Sequence, residues 1–134
     1  MEELPYFNPD VEASAVPTTV LDFRAQIGEA DAVVICTPEY AHGIPGILKN
    51  ALDWLVGSLE FPGKAVALVN ASTRATHAYE SLTEILTTMS ARIIFEASLT
   101  IPVTHHADAA NILADPTAKD LLNTVLAQLV ASRS

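Results

Sequence analysis

Thr37-Pro38-Glu39-Tyr40-Ala41-His42-Gly43-Ile44-Pro45-Gly46 decides how this chain is read, because of what lies on either side of it. Before it, residues 32–36 (AVVIC) form an unbroken apolar run with the length and β-branched content of a strand buried on both faces. After it, Ile44, Ile47, Leu48, Ala51, Leu52 and Leu55 recur at helical spacing. Strand, loop and helix in that order make a βα unit. In open α/β sheets, small ligands sit at the carboxyl ends of the strands, where N–H groups at the start of the next helix face the crevice. Residues 37–46 occupy that place and read as a ligand loop.

The same alternation extends in both directions. Val20, Phe23, Arg24 and Ile27 mark a helix over 17–28 that stops at Gly28, read as its C′ residue. Beyond the helix predicted over 45–57, a turn at Phe61-Pro62-Gly63 leads to a second buried strand at 65–69. Tyr79, Leu82, Ile85, Leu86 and Met89 mark another helix. A third strand covers 93–95 and 99–101, bent at Ala97-Ser98, and 104–115 reads as a loop. Leu121, Leu122, Val125, Leu126, Leu129 and Val130 mark the closing helix. Strands alternating with helices imply right-handed parallel crossovers, which bring the 37–46 and 70–77 loops to one sheet edge, flanking one cleft.

Beyond this pattern, Thr37-Pro38-Glu39-Tyr40, Gly43-Ile44-Pro45-Gly46, Leu48-Lys49-Asn50-Ala51 and Asp53-Trp54 resemble the TPEYN-x-x-x-PG-x-LKNA-x-DW signature of the NADPH-dependent FMN reductases. This is a flavodoxin-like group that includes chromate and azo-dye reductases. Leu4-Pro5-Tyr6-Phe7-Asn8 resembles the family's segment after its second strand, and Asn70-Ala71-Ser72 its third flavin loop. The resemblance implies a flavodoxin-like three-layer α/β/α fold with a parallel sheet. It implies FMN and NADPH as cofactors and a ping-pong hydride transfer to flavins, quinones or similar acceptors. It also implies dimers or tetramers formed through the region of helix 45–57. The cofactor-binding residues it points to are Thr37, Pro38, Glu39, Tyr40, Ala41, His42 and Gly43 in one loop, with Ser72, Thr73 and Arg74 in the other.

Two departures from the family pattern shape the expectations. The strand and GS-x-R-x-x-S-x-N-type loop that open the family have no counterpart here. The chain therefore reads as a single flavodoxin-like domain, N-terminally truncated, either naturally or because its true start lies upstream. Without that loop FMN is expected to bind weakly and the protein to be colourless. Position 41 is Ala where the signature usually has Asn, and 72–77 replaces a glycine-rich stretch, which restricts how closely backbone approaches a ring. With the first strand absent, the apolar edge at 32–36 becomes an association surface, and Trp54 is expected to add apolar contact to a partner subunit. A homo-oligomer follows. The competing reading is a cofactor-free remnant acting as an oligomeric interaction protein.

In a flavin enzyme of this kind the cofactor carries the hydride chemistry and protein groups orient it, so no catalytic acid is demanded. Glu39 accordingly reads as a loop-building residue with proton transfer as the alternative. Tyr40 reads as packing beside the ring or a partner. Gly43 and Pro45 are expected to set the turn and the helix start, so that Gly43→Val abolishes flavin binding while Glu39→Gln spares it. His42 and His77 lie in the two loops and meet if the cleft closes between them. His105, His106 and Asp108 lack the spacing of a metal set and read as a polar loop.

Bulk properties agree with a small domain. A chain of 134 residues, half of them hydrophobic, can bury roughly two-thirds of its unfolded surface. No apolar stretch reaches the roughly 20 residues a membrane helix needs, and the acidic, proline-containing start is unlike a signal peptide, so a cytoplasmic protein is expected. A net charge of −9 opposes nucleic acid and anionic membrane, and leaves Arg74, Lys49 and the helix start near Pro45 as donors for an anionic cofactor. The single Cys36 reads as a small core residue.

Overall fold

Asn8, Pro9 and Asp10 open the first element of the computed structural model, which describes residue 1, residues 3–101 and residues 109–132. Asn8 caps helix α1 (Pro9–Ser14) by accepting from the Asp10 amide, with proline in the first turn, where its missing N–H costs nothing. Helix α2 (Thr18–Glu29) follows, then strand β1 (Ala32–Thr37), helix α3 (Gly46–Val56), strand β2 (Ala65–Asn70) and helix α4 (Thr76–Thr88). Strand β3 (Arg92–Ile93), a 3₁₀ turn (Phe95–Ala97) and strand β4 (Leu99–Thr100) form the bent third strand. Helices α5 (Ala109–Ala114) and α6 (Pro116–Ala131) close the chain.

All strand pairings are parallel, and β2 is central. It pairs with β1 along six residues, from Ala32 opposite Ala65 to Thr37 opposite Asn70, and on its other side with β3 and then β4. At the interruption between β3 and β4 the Leu68 amide donates to Ser98 Oγ at 3.0 Å. Side-chain alternation along β2 builds the layers. Ala65, Ala67 and Val69 face α6 through Ala118, Val125 and Leu129, whereas Val66 and Leu68 face α3 and α4 through Leu48, Leu52, Leu82 and Leu86. The result is the flavodoxin-like three-layer arrangement.

Several expectations change. β1 is not buried on both faces: Val34 is 42% exposed and Cys36 is exposed, so the cysteine is not a core residue. An apolar run reads the same in a central strand and in an edge strand, because its composition says nothing about its neighbours. Gly28 does not end α2, which runs on to Glu29 with Ala30 as its C-cap. The carbonyls of Gly28 and Ala30 are instead taken by Lys64 Nζ at 3.1 and 2.6 Å. A Cβ on Gly28 would meet Glu60 Cγ at 3.1 Å, so close approach, not a left-handed turn, explains the glycine. Residues 109–114 of the expected loop are helical, and Asp115 caps α6 by accepting from the Thr117 and Ala118 amides ahead of Pro116. His105, His106 and Asp108 lie outside the described residues.

Candidate functional site

Thr37 and Asn70 are ladder partners at the carboxyl ends of β1 and β2, so the two loops that follow leave the sheet side by side. The first turns back at once. Tyr40 and Gly43 exchange both backbone hydrogen bonds at 3.0 Å, and the two residues between them, Ala41 (φ 48°) and His42 (φ 58°), are both left-handed. Positive φ at both central positions is the type I′ geometry, which favours Asn-Gly and costs an L-residue such as Ala roughly 1–2 kcal/mol. The signature's preference for Asn at position 41 thereby gains a physical reason. Gly43 has no positive φ, and a Cβ there would meet only the Tyr40 carbonyl oxygen at 3.8 Å. The expected reliance of the turn on Gly43 is therefore corrected: Ala41 and His42 carry the strained geometry. Pro45 stands just before α3, its carbonyl accepting from the Leu48 and Lys49 amides.

The second loop is locked by its own side chains. Asn70 donates through Nδ2 to the Ala75 carbonyl at 3.0 Å and accepts from the Ser72 amide at 3.0 Å, and Ser72 Oγ accepts from the Arg74 amide at 3.2 Å. These short polar side chains substitute for backbone turn contacts. Ser72 is half-buried while Thr73 and Arg74 are exposed.

Two contacts tie the loops together. Glu39 Oε2 accepts from the Ala78 amide at 2.8 Å, in the first turn of α4. The N-cap residue of that helix is Ala75, which supplies no side-chain cap, so Glu39 provides from the neighbouring loop what the local sequence lacks. The His42 and His77 rings stack at 4.3 Å with 24° between their planes, so the two histidines do meet. Tyr40 projects outward, 66% exposed. Thr37, Pro38, Glu39, Tyr40, Ala41, His42 and Gly43 thus share one end of the sheet with Ser72, Thr73 and Arg74. Lys49 stands apart, its ammonium paired with Asp53 one turn along α3.

The remaining signature residues hold the scaffold. Asn50 donates to the Pro5 carbonyl at 3.0 Å and accepts from the Phe7 amide at 2.8 Å, while Trp54 Nε1 donates to the same Pro5 carbonyl at 2.8 Å. Phe7 meets the Trp54 ring edge-on at 5.0 Å, and Trp54 is 0% exposed. Trp54 is consequently not available to a partner subunit, a correction to the expected oligomer contact. The Trp54 carbonyl accepts from Arg24, whose guanidinium also meets Glu12 at 2.7 and 2.9 Å. Asn8, Pro9, Asp10 and Glu12 announce α1 in the sequence, and Arg24 on the apolar side of α2 announces a buried partner. Both signals were legible.

Cys36, beside the loops at the end of β1, has its thiol pushed above the ordinary range by apolar surroundings that disfavour the thiolate. Among the described residues no group of three or more His, Cys, Asp or Glu could hold a metal ion.

The model of the NADPH-dependent FMN reductases matches residues 1–106. The chain belongs to the NADPH-dependent FMN reductase family. It is 45% identical over 71 residues to an NAD(P)H-dependent FMN reductase of Pseudomonas aeruginosa, covering 52% of this chain and 38% of that protein. A quinone reductase of Pseudomonas putida is 45% identical over 78 residues, covering 54% of this chain and 41% of that protein. The matched part is therefore well under half the length of these relatives. Among solved structures, FerB, a flavoenzyme NAD(P)H:(acceptor) oxidoreductase from Paracoccus denitrificans, superposes with a TM-score of 0.76 at 31% identity, over 96% of this chain and 75% of its own. The apo form of an NADH:FMN oxidoreductase shares the fold with a TM-score of 0.64 at 20% identity.

The open end of the sheet presents a tight backbone turn and a second loop whose polar side chains are already satisfied internally.

Proposed function

We propose that this chain is an NAD(P)H-dependent FMN reductase-type oxidoreductase that passes hydride through bound FMN to quinones, flavins or similar acceptors. The observation that carries the reading is the pairing of the two loops, through the Glu39 to Ala78 bond and the His42–His77 stack, at the ends of adjacent strands. The names of the relatives in Pseudomonas aeruginosa and Pseudomonas putida support the chemistry. The interaction-protein alternative has no such support.

When bound, FMN supplies the relay of two electrons and a proton between nicotinamide and acceptor. The chain's own residues bind and orient. In this reading the backbone of residues 37–43 holds one edge of the ring, Ser72, Thr73 and Arg74 hold the other, and Glu39 fixes the separation of the two loops. Tyr40 borders the open face that an acceptor approaches. With a net charge of −9, the phosphate end depends on local donors such as Arg74, and FMN affinity is weak. Cytoplasmic placement and a homo-oligomeric state complete the proposal; among the described residues no helix is long and apolar enough to cross a membrane.

The test is NAD(P)H oxidation with a benzoquinone acceptor across an FMN titration. The rate should rise with FMN and saturate, and the protein as purified should be colourless. No acceptor-dependent rate at any FMN concentration overturns the reductase reading. A yellow preparation with stoichiometric FMN overturns weak binding alone.

A further inference from the structure

The two contacts that join the loops reach α4 at consecutive residues. Glu39 accepts from the Ala78 amide at 2.8 Å, and the His42 ring stacks on the His77 ring at 4.3 Å. One contact alone would leave a pivot, whereas two at neighbouring points also fix the angle at which the 40–43 turn stands to the helix. The α4 side is the anchored one. Asn70 and Ser72 lock the loop before it through their own side chains, Ala75 and Ala78 are buried, and His77 lies in the first turn of the helix. The other side is strained. Ala41 at φ 48° and His42 at φ 58° hold a conformation that residues other than glycine keep only where their surroundings over-determine it. Ala41 has no side chain that could bond to nearby backbone, as the side chain of Asn does in this region. Among the described residues the amides of Ala41 and His42 donate no backbone hydrogen bond, so they are the two donors the turn holds out to a ligand.

We infer that His77 is a positioning residue for these two amides: its ring, carried by α4, holds His42 by stacking and so sets the left-handed turn from the neighbouring loop, where Ala41 gives no local support. Positioning runs from the anchored helix to the strained turn. Stacking needs only two aromatic faces, so phenylalanine at position 77 can take over from the imidazole and alanine cannot. The donors held in this way suit a planar ring with carbonyl or ring-nitrogen acceptors along its edge. That ligand rests on the flavin reading above, whereas the dependence of the turn on His77 is a property of the chain without cofactor.

Two assays on the full chain test it. Both histidines are exposed, so substitutions at them should leave the circular dichroism unchanged. In a titration read by quenching of FMN fluorescence, His77→Ala should raise the dissociation constant roughly fivefold, and His77→Phe should stay within about twofold of the unsubstituted chain. Adding Ala41→Asn to His77→Ala should restore most of the affinity, because Asn tolerates the left-handed conformation unaided. A role for His77 confined to the stability of α4 could not be repaired at position 41. Amide exchange without cofactor gives the second arm. The Tyr40 and Gly43 amides, which donate across the turn at 3.0 Å, should lose protection in His77→Ala, keep it in His77→Phe and regain it in the double variant. Unchanged protection in His77→Ala overturns the inference, as does a loss that His77→Phe shares or that Ala41→Asn does not repair. The expected exchange pattern in a chain that binds no FMN supports the positioning role and overturns the flavin reading instead. If His77→Ala fails to fold, His42→Ala removes the same ring pair and is read in both assays.

Discussion

Replacing Glu39 by alanine tests whether the two loops are one structural unit. The carboxylate accepts from the Ala78 amide at 2.8 Å, and Ala75, the N-cap residue of α4, offers no oxygen of its own. Without Glu39 that amide turns to water. Glu39 is half-buried, so water partly compensates, and a loss of about 1–2 kcal/mol follows from typical capping and charge-assisted bonds. Glu39→Gln keeps an acceptor oxygen and forfeits only the charge at the helix N-terminus, about 0.5 kcal/mol. Urea unfolding followed by the fluorescence of Trp54, the only tryptophan, reads both variants at constant m-value. Amide exchange localises the effect: Ala78 should lose protection in Glu39→Ala and keep most of it in Glu39→Gln. Equal losses in the two variants, or unchanged protection at Ala78, would refute the cap and with it the idea that this residue spaces the loops.

Ala41→Asn should stabilise the protein by about 0.5–1 kcal/mol, since Asn tolerates the left-handed conformation held at φ 48°, whereas Gly43→Ala should be close to neutral; thermal denaturation compares them. Glu12→Ala strands the buried Arg24 guanidinium with the Trp54 carbonyl alone and should cost about 2 kcal/mol, reduced from the fully buried case because the Glu12 side chain is 24% exposed. Adding Arg24→Met to Glu12→Ala should recover part of that loss in urea unfolding. For Cys36, desolvation raises the thiol pKa, so the thiolate forms only at higher pH than in an unperturbed cysteine. The alkylation rate with iodoacetamide should therefore stay low through neutral pH and inflect above the ordinary range of roughly 8.5, and an inflection below it would contradict the assignment.

The order of strands and helices, the parallel sheet, the place of the 37–46 loop and the family are all legible in the residues themselves. Apolar periodicity is a local property, and a signature spanning 37–54 is contiguous in the chain. The missed α1 was equally local, written in the Asn8 cap and Pro9, as was the Asp115 cap ahead of Pro116. What only the tertiary structure decided are properties that depend on a neighbour distant in sequence. Glu39 is a helix cap because Ala78 lies beside it, 39 residues away. Lys64 rather than Gly28 finishes α2, because β2 starts beside the end of that helix. Trp54 is a scaffold residue, not an interface residue, because residues 5–7 fold over it. The same separation governs β1: its apolar sequence was enough to make it a strand, but burial is set by what packs over each face, and Val34 and Cys36 project to a face that stays exposed.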